Sequence, residues 1–192
     1  MLDNGDSTLV VSPFHKTLLI DGGEGVRENI GTYLLNRRVN QIDYMIISHF
    51  DSDHVQGLFT VLEEAKVKTV IISKQGESSE NYESFLEIVN RKKIKIIVVK
   101  AGDIIYIDKV TYFHVLFPEE EQIPENILNN NSIVGKLVYG RFSTLFTGDI
   151  EAIAENEIVS KYVVGTGLVP VRRITRGNNT TIYHIKSSTP RF

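Results

Sequence analysis

The chain has 192 residues, of which 42% are hydrophobic and 23% charged, with a formal net charge of −3 and no cysteine. That length suits one domain with a sizeable core, and the mildly acidic balance excludes a nucleic-acid binder that works by overall basic charge, leaving only a local patch. The lack of cysteine excludes disulfides and thiolate metal sites. Any metal must then be held by His, Asp, Glu or Asn, a donor set that favours zinc, manganese or iron.

The polar start Met1-Leu2-Asp3-Asn4-Gly5-Asp6 lacks the basic residues and apolar run of a signal peptide. No stretch approaches the roughly 20 apolar residues of a membrane span, so a cytoplasmic protein is expected. Thr8 to Ser12 and Lys16 to Asp21 are apolar, β-branched runs a few residues apart, which predicts a hairpin whose second strand ends at Gly22-Gly23. Val26, Ile30, Tyr33 and Leu34 recur at helical spacing and predict a helix over 26–38. Ile42 to Ser48 has the length of a buried strand. Beyond it Val55, Leu58, Phe59 and Leu62 mark a helix.

Val67 to Ser73 is a strand, Tyr82, Phe85, Leu86 and Val89 lie on a helix, and Lys95 to Val99 is a strand. This alternation predicts a mixed α/β sheet with helices against it. Four strand-like runs without helices follow: 103–107, 110–117, 132–139 and 142–147, the last two joined by the turn Gly140-Arg141. Ile150, Ile153, Ala154 and Ile158 begin another helix, and Thr180 to Ser187 has the composition of a short one. Residues 74–80 and 118–131 are expected to be surface loops. From about 163 the pattern weakens, so the expectation is a single domain over 1–192 with an atypical tail.

Between the Ile42–Ser48 strand and the helix near Val55 lie His49, Asp51, Asp53 and His54. Two imidazoles and two carboxylates within six residues are enough for much of a two-metal site. Sites in α/β sheets form at the carboxyl ends of strands, which is where this cluster falls. The competing reading is a polar loop whose His and Asp cap the following helix. Asp21 and Asp149 also follow strands and sit beside Gly. Asp149 suits a carboxylate bridging two metals, and Asp21 a buried support for the ligand loop. Turn chemistry would place Asp next to Gly as well.

Five segments carry a family resemblance: Asn4-Gly5-Asp6-Ser7-Thr8, Leu19-Ile20-Asp21-Gly22-Gly23, Ile47 through Gly57, Asn129-Asn130-Asn131-Ser132, and Leu145-Phe146-Thr147-Gly148-Asp149-Ile150-Glu151. In order and spacing the chain resembles the metallo-β-lactamase-like superfamily over roughly residues 4–160. Within it, the chain is similar to the hydrolase domain of ComEC-type competence and DNA-uptake proteins, with Asp51 where most of the superfamily has His.

The resemblance implies a four-layer αβ/βα sandwich of mixed α/β class. It assigns His49 and Asp51 to one metal, Asp53 and His54 to a second, and Asp149 to the bridge. Asp53 and Asp149 are the residues it places in catalysis, and Asp21 has a structural role behind the ligands. It implies one or two divalent ions, zinc or manganese, and a phosphodiesterase or nuclease activity in which such ions activate water and steady the charge on phosphate oxygens. The family's downstream His-His-Gly segment has no counterpart. Arg173-Ile174-Thr175-Arg176-Gly177-Asn178-Asn179 stands in its place, and the sandwich is expected to be incomplete at the C-terminus.

His114, flanked by Phe113 and Val115, reads as a sheet histidine, and His184 as a surface residue. Nucleic acid would be met by a local patch from Arg37 and Arg38, Lys92 and Lys93, or Arg172, Arg173 and Arg176. Two alternatives to a nuclease remain: a hydrolase of small esters or cyclic phosphates on the same fold, and a non-catalytic or degenerate metal-binding domain. No membrane segment is expected in this chain.

Overall fold

The structure, a computed structural model, describes residues 6–24, 30–74, 78–162, 174–175 and 181–182. They fall into two compact units. The first runs to Val99 and takes in Ile107–Lys109; the second begins at Lys100.

The first unit holds β1 (Thr8–Val11), β2 (Thr17–Ile20), α1 (Ile30–Asn36), β3 (Gln41–Ile46), α2 (Ser52–Glu64), β4 (Lys66–Ser73), α3 (Glu80–Lys92) and β5 (Lys95–Val99). Its sheet has the order β1-β2-β3-β4-β5, with β1 antiparallel to β2 and the rest parallel. Leu18, Leu19, Ile20, Met45, Ile46, Val70, Ile71 and Ile72 are all buried. These parallel strands are apolar on both faces, which explains why they read as continuous runs rather than alternating ones. Leu19, Met45, Val70 and Ile72 form one cluster with Leu34 of α1, Val55, Leu58, Val61 and Leu62 of α2, and Phe85 and Val89 of α3. The helices therefore bury their apolar stripes on one face of this sheet.

Asp43 is a buried charge on β3. Its carboxylate accepts from the Thr17 amide at 3.1 Å and from Lys68 Nζ at 2.7 Å, and its own amide donates to Thr17 Oγ1 at 2.9 Å. A charge taken out of water is tolerable only when bonded in this way.

The second unit holds β6 (Ile104–Tyr106), β7 (Thr111–Phe117), α4 (Ile127–Asn130), β8 (Val134–Tyr139), β9 (Phe142–Phe146), α5 (Ala152–Tyr162), β10 (Ile174–Thr175) and β11 (Thr181–Ile182). Strands β6-β7-β8-β9 make an antiparallel sheet. On β7 Thr111, Phe113 and Val115 are buried, while Tyr112 and His114 are half-buried, the period-2 pattern of a strand. Ala154 of α5 packs with Leu116, Phe117 and Val134.

Two expectations are corrected. The stretch 118–131 is not only surface loop: it contains the single turn α4, and Asn130, Asn131 and Ser132 are buried. One turn is too short to show periodicity, and its polar residues are buried because they bond the chain to itself. Thr181 and Ile182 are not helical; they pair antiparallel with Thr175 and Ile174. The rest of the tail, with Arg172, Arg173, Arg176 and His184, lies outside the described residues, as do Asn4, Gly5 and Val26. No described helix is long and apolar enough to cross a membrane.

Candidate metal centre

Parallel pairing of β2 with β3 aligns Ile20 with Ile46. The residues just past both strands therefore emerge side by side, Asp21 from one and Ser48-His49 from the other. Asp21 is bent sharply, with φ of 54°, and its amide donates to Ile46 O at 3.0 Å. Its carboxylate is almost wholly buried. Oδ1 accepts the Ser48 amide at 2.8 Å, and Oδ2 accepts the Ser48 hydroxyl at 2.7 Å and His54 Nδ1 at 3.1 Å.

Helix α2 starts at Ser52, three residues earlier than the apolar spacing suggests, so Asp53 and His54 occupy its first turn rather than a loop. The first turn of a helix has no internal partners for its amides and favours acidic side chains, so a polar sequence can enter it without breaking the helix. Asp51 is the N-cap residue, yet its side chain makes no capping bond. Its Oδ2 lies 3.6 Å from His49 Nε2 instead. Capping therefore does not account for Asp51. Asp53 Oδ2 is 3.9 Å from His54 Nε2, and the two imidazole centroids are 4.2 Å apart.

The start of α2 is stitched to the turn after β2. The Gly22 amide donates to His54 O at 2.7 Å, and the Gly57 amide donates to Gly23 O at 2.9 Å. Asn81 of α3 latches the other side, donating to Phe50 O at 2.8 Å. Sequence reasoning missed Asn81. The only signal was a polar residue at the start of α3, and nothing in the pattern ties it to a loop 31 positions away.

Both histidines have Nδ1 engaged. Asp21 as a carboxylate can only accept, so in a neutral imidazole His54 Nδ1 carries the proton and Nε2 the lone pair. His49 Nδ1 lies 3.0 Å from Ser48 Oγ. His49 Nε2 is buried and has no hydrogen-bond partner. At 3.6 Å it is too far from Asp51 for a hydrogen bond, and a buried polar atom left so is costly.

A divalent ion fits this arrangement. Two ligands about 2.1 Å from one zinc stand roughly 3.4 Å apart at a tetrahedral angle, close to the observed separation. Imidazole nitrogen beside carboxylate oxygen is also a donor set that zinc and manganese accept. The chain thus gathers His49, Asp51, Asp53 and His54 at one strand end.

Asp149 belongs to the second unit, in the turn after β9, next to Gly148 with φ of 51°. That turn is held by Asn130, whose Oδ1 accepts the Glu151 amide at 2.9 Å while its Nδ2 donates to Glu151 Oε2 at 3.1 Å and Glu125 O at 2.8 Å. Asn131 donates to Ile123 O and accepts from its amide. Asn130 and Asn131 are thus backbone clamps. Arg37 and Arg38 are exposed, whereas Lys92 pairs with Glu63.

A family model described as the metallo-beta-lactamase superfamily matches residues 2–187. ComE operon protein 3 of Bacillus subtilis is 31% identical over 179 residues, covering 84% of this chain. The chain spans only 23% of that relative's length. Among solved structures, a novel metallo hydrolase, Igni18, from the archaeon Ignicoccus hospitalis aligns at a TM-score of 0.54 with 13% identity, covering 84% of this chain and 65% of that one. The metallo-beta-lactamase fold protein YhfI from Bacillus subtilis aligns at 0.51 with 15% identity, covering 76% and 55%. At such identities the structural likeness speaks for the fold, while the family model and the ComE relative speak for kinship. On both counts the chain belongs to the metallo-beta-lactamase superfamily, with that family's mixed α/β fold.

Proposed function

We propose that this chain is a metal-dependent hydrolase that cleaves phosphodiester bonds in DNA. One or two zinc or manganese ions would be held by His49, Asp51, Asp53, His54 and Asp149. The observation that carries the reading is His49 Nε2, buried, unpartnered and 3.6 Å from a carboxylate. A divalent cation supplies what that nitrogen lacks.

Support for the substrate class comes from the likeness to ComE operon protein 3 and from the residues that resemble DNA-uptake hydrolase domains. Such ions would lower the proton affinity of water and steady developing charge on phosphate oxygens. The chain's own part is to fix the ligands. Asp21 orients His54, Asn81 holds the loop, and Asn130 holds the turn that presents Asp149. Asp53 and Asp149 are the carboxylates placed nearest the chemistry in this reading.

The test is cleavage of labelled single- and double-stranded DNA with zinc or manganese, alongside metal content by mass spectrometry. The expected result is bound metal and metal-dependent cleavage that Asp53→Ala abolishes. Equal cleavage by parent and Asp53→Ala would overturn the roles assigned. A second reading has one motivating observation, the missing His-His-Gly segment: a domain that binds metal without turnover. It predicts at most one weakly held metal in the purified protein and no hydrolysis of DNA, small esters or cyclic phosphates; two metals per chain would count against it.

A further inference from the structure

We propose that Ser48 is a positioning residue for the metal centre: its hydroxyl selects the tautomer of His49 and so decides which ring nitrogen is offered to a cation. The inference rests on the metal-binding reading above, but the tautomer it predicts can be measured without metal.

A serine hydroxyl has one proton to give. Ser48 Oγ has two neighbours in hydrogen-bond range, Asp21 Oδ2 at 2.7 Å and His49 Nδ1 at 3.0 Å. Asp21 as a carboxylate is an acceptor only. If the Ser48 proton pointed to His49, two oxygen acceptors would face each other at 2.7 Å with nothing between them. The proton therefore goes to Asp21, in the short distance range of a charge-assisted bond.

The hydroxyl is left with lone pairs, and His49 Nδ1 must arrive carrying a proton. In a neutral imidazole the other nitrogen, Nε2, then has the lone pair. That nitrogen is the buried, unpartnered one. The direction of the Ser48 bond thus fixes the tautomer, and it leaves the lone pair on the one ring nitrogen that has no hydrogen-bond partner.

The position is well suited to this task. Ser48 is 1% exposed, so water does not compete for its hydroxyl. Its amide also donates to Asp21 Oδ1 at 2.8 Å, so one carboxylate grips both the backbone and the side chain of residue 48. The same Oδ2 takes His54 Nδ1 directly. One buried aspartate consequently sets both imidazoles, His54 by contact and His49 through a hydroxyl. Outer partners of this kind typically alter metal affinity 10–100-fold.

The experiment uses the full chain labelled with nitrogen-15 at histidine, with His49 assigned by comparison with His49→Gln. Long-range proton–nitrogen correlation spectra of the metal-free protein should show the parent with its proton on His49 Nδ1. Ser48→Ala should move that proton toward Nε2, and Ser48→Thr, which keeps the hydroxyl, should resemble the parent. Zinc titration against a chelating dye should give Ser48→Ala an affinity roughly 10–100-fold weaker, with Ser48→Thr near the parent.

A proton on Nε2 in the parent would overturn the proposal. So would a Ser48→Ala protein with the parent's tautomer and zinc affinity. Should Ser48→Ala fail to fold, the parent and Ser48→Thr spectra still decide the tautomer. A parent that takes up no zinc would refute the metal reading and leave the spectra to judge Ser48.

Discussion

Gly57 faces the Gly22 carbonyl so closely that a β-carbon at position 57 would stand 2.0 Å from that oxygen. The contact is reciprocal, since a β-carbon at Gly22 would lie 2.6 Å from the Leu58 amide nitrogen. Both obstacles are backbone, which cannot swing aside as a side chain can. Glycine here is what lets the first turns of α2 lie against the turn bearing Asp21.

The consequence reverses an ordinary expectation. Replacing glycine by alanine inside a helix normally stabilises by about 1 kcal/mol. Gly57→Ala should instead destabilise by about 1–3 kcal/mol, the usual cost of overpacking. Urea denaturation of the variant checks the sign, and an unchanged or raised midpoint would contradict the close approach.

Asp43 makes a prediction about acid. Burial opposes its charge, but hydrogen bonds from Lys68 Nζ and the Thr17 amide, with the nearby charges of Lys68 and Lys16, outweigh it. The carboxyl is held below the ordinary aspartate value of 3.8. A group depressed in the folded state contributes stability that is whole above its unfolded value and disappears as pH falls through the folded one. Asp43→Asn should therefore be less stable than the parent at neutral pH, and the gap should shrink as pH falls below the ordinary aspartate range. Urea midpoints measured from about pH 7 down to pH 2 test this; a constant gap would show that Asp43 acts by shape alone.

Asn130 is expected to matter for stability and for the turn at Asp149. Asn130→Ala leaves the Glu151 amide and the Glu125 carbonyl without their partner, at a cost of about 1–3 kcal/mol. Hydrogen exchange at the Glu151 amide should accelerate more than exchange in β7 or β8. Uniform acceleration would mean that the side chain supports the whole unit rather than this turn.

Metal should stabilise the fold by mass action. At 100 times the dissociation constant a ligand specific for the native state adds about 2.7 kcal/mol. Zinc should thus raise the melting temperature of the parent, a chelator should reverse the rise, and His49→Ala should lose most of it. An identical rise in His49→Ala would place the binding elsewhere.

The strand-end position of the cluster was legible because Ile42–Ser48, apolar but for Asp43 and Ser48, has the length of a strand and stops at His49. Helix α2 was legible from Val55, Leu58 and Leu62, but not its start, because Ser52 and Asp53 carry no apolar signal. Asp21 was legible as a buried support for the loop, from its place after a strand and beside Gly22, although its partner Ser48 stands 27 positions away. The other supports were hidden: Asn81 reaches its loop from another helix. Asp43 looked like one more polar residue in a strand, although it is the bonded charge at the sheet's centre. Such residues are chosen by contacts distant in sequence, and periodicity has no access to those.

The alignment of Ile20 with Ile46 acts as a ruler. Each strand residue advances about 3.3 Å, so two residues inserted into β3 would carry Ser48 roughly 6.6 Å along the strand, out of Asp21's grasp. The turn over Pro13, Phe14 and His15, all exposed, could lengthen without touching that measure. Insertions can accumulate at the turn over 13–15, while the interval from Gln41 to His54 must keep its count.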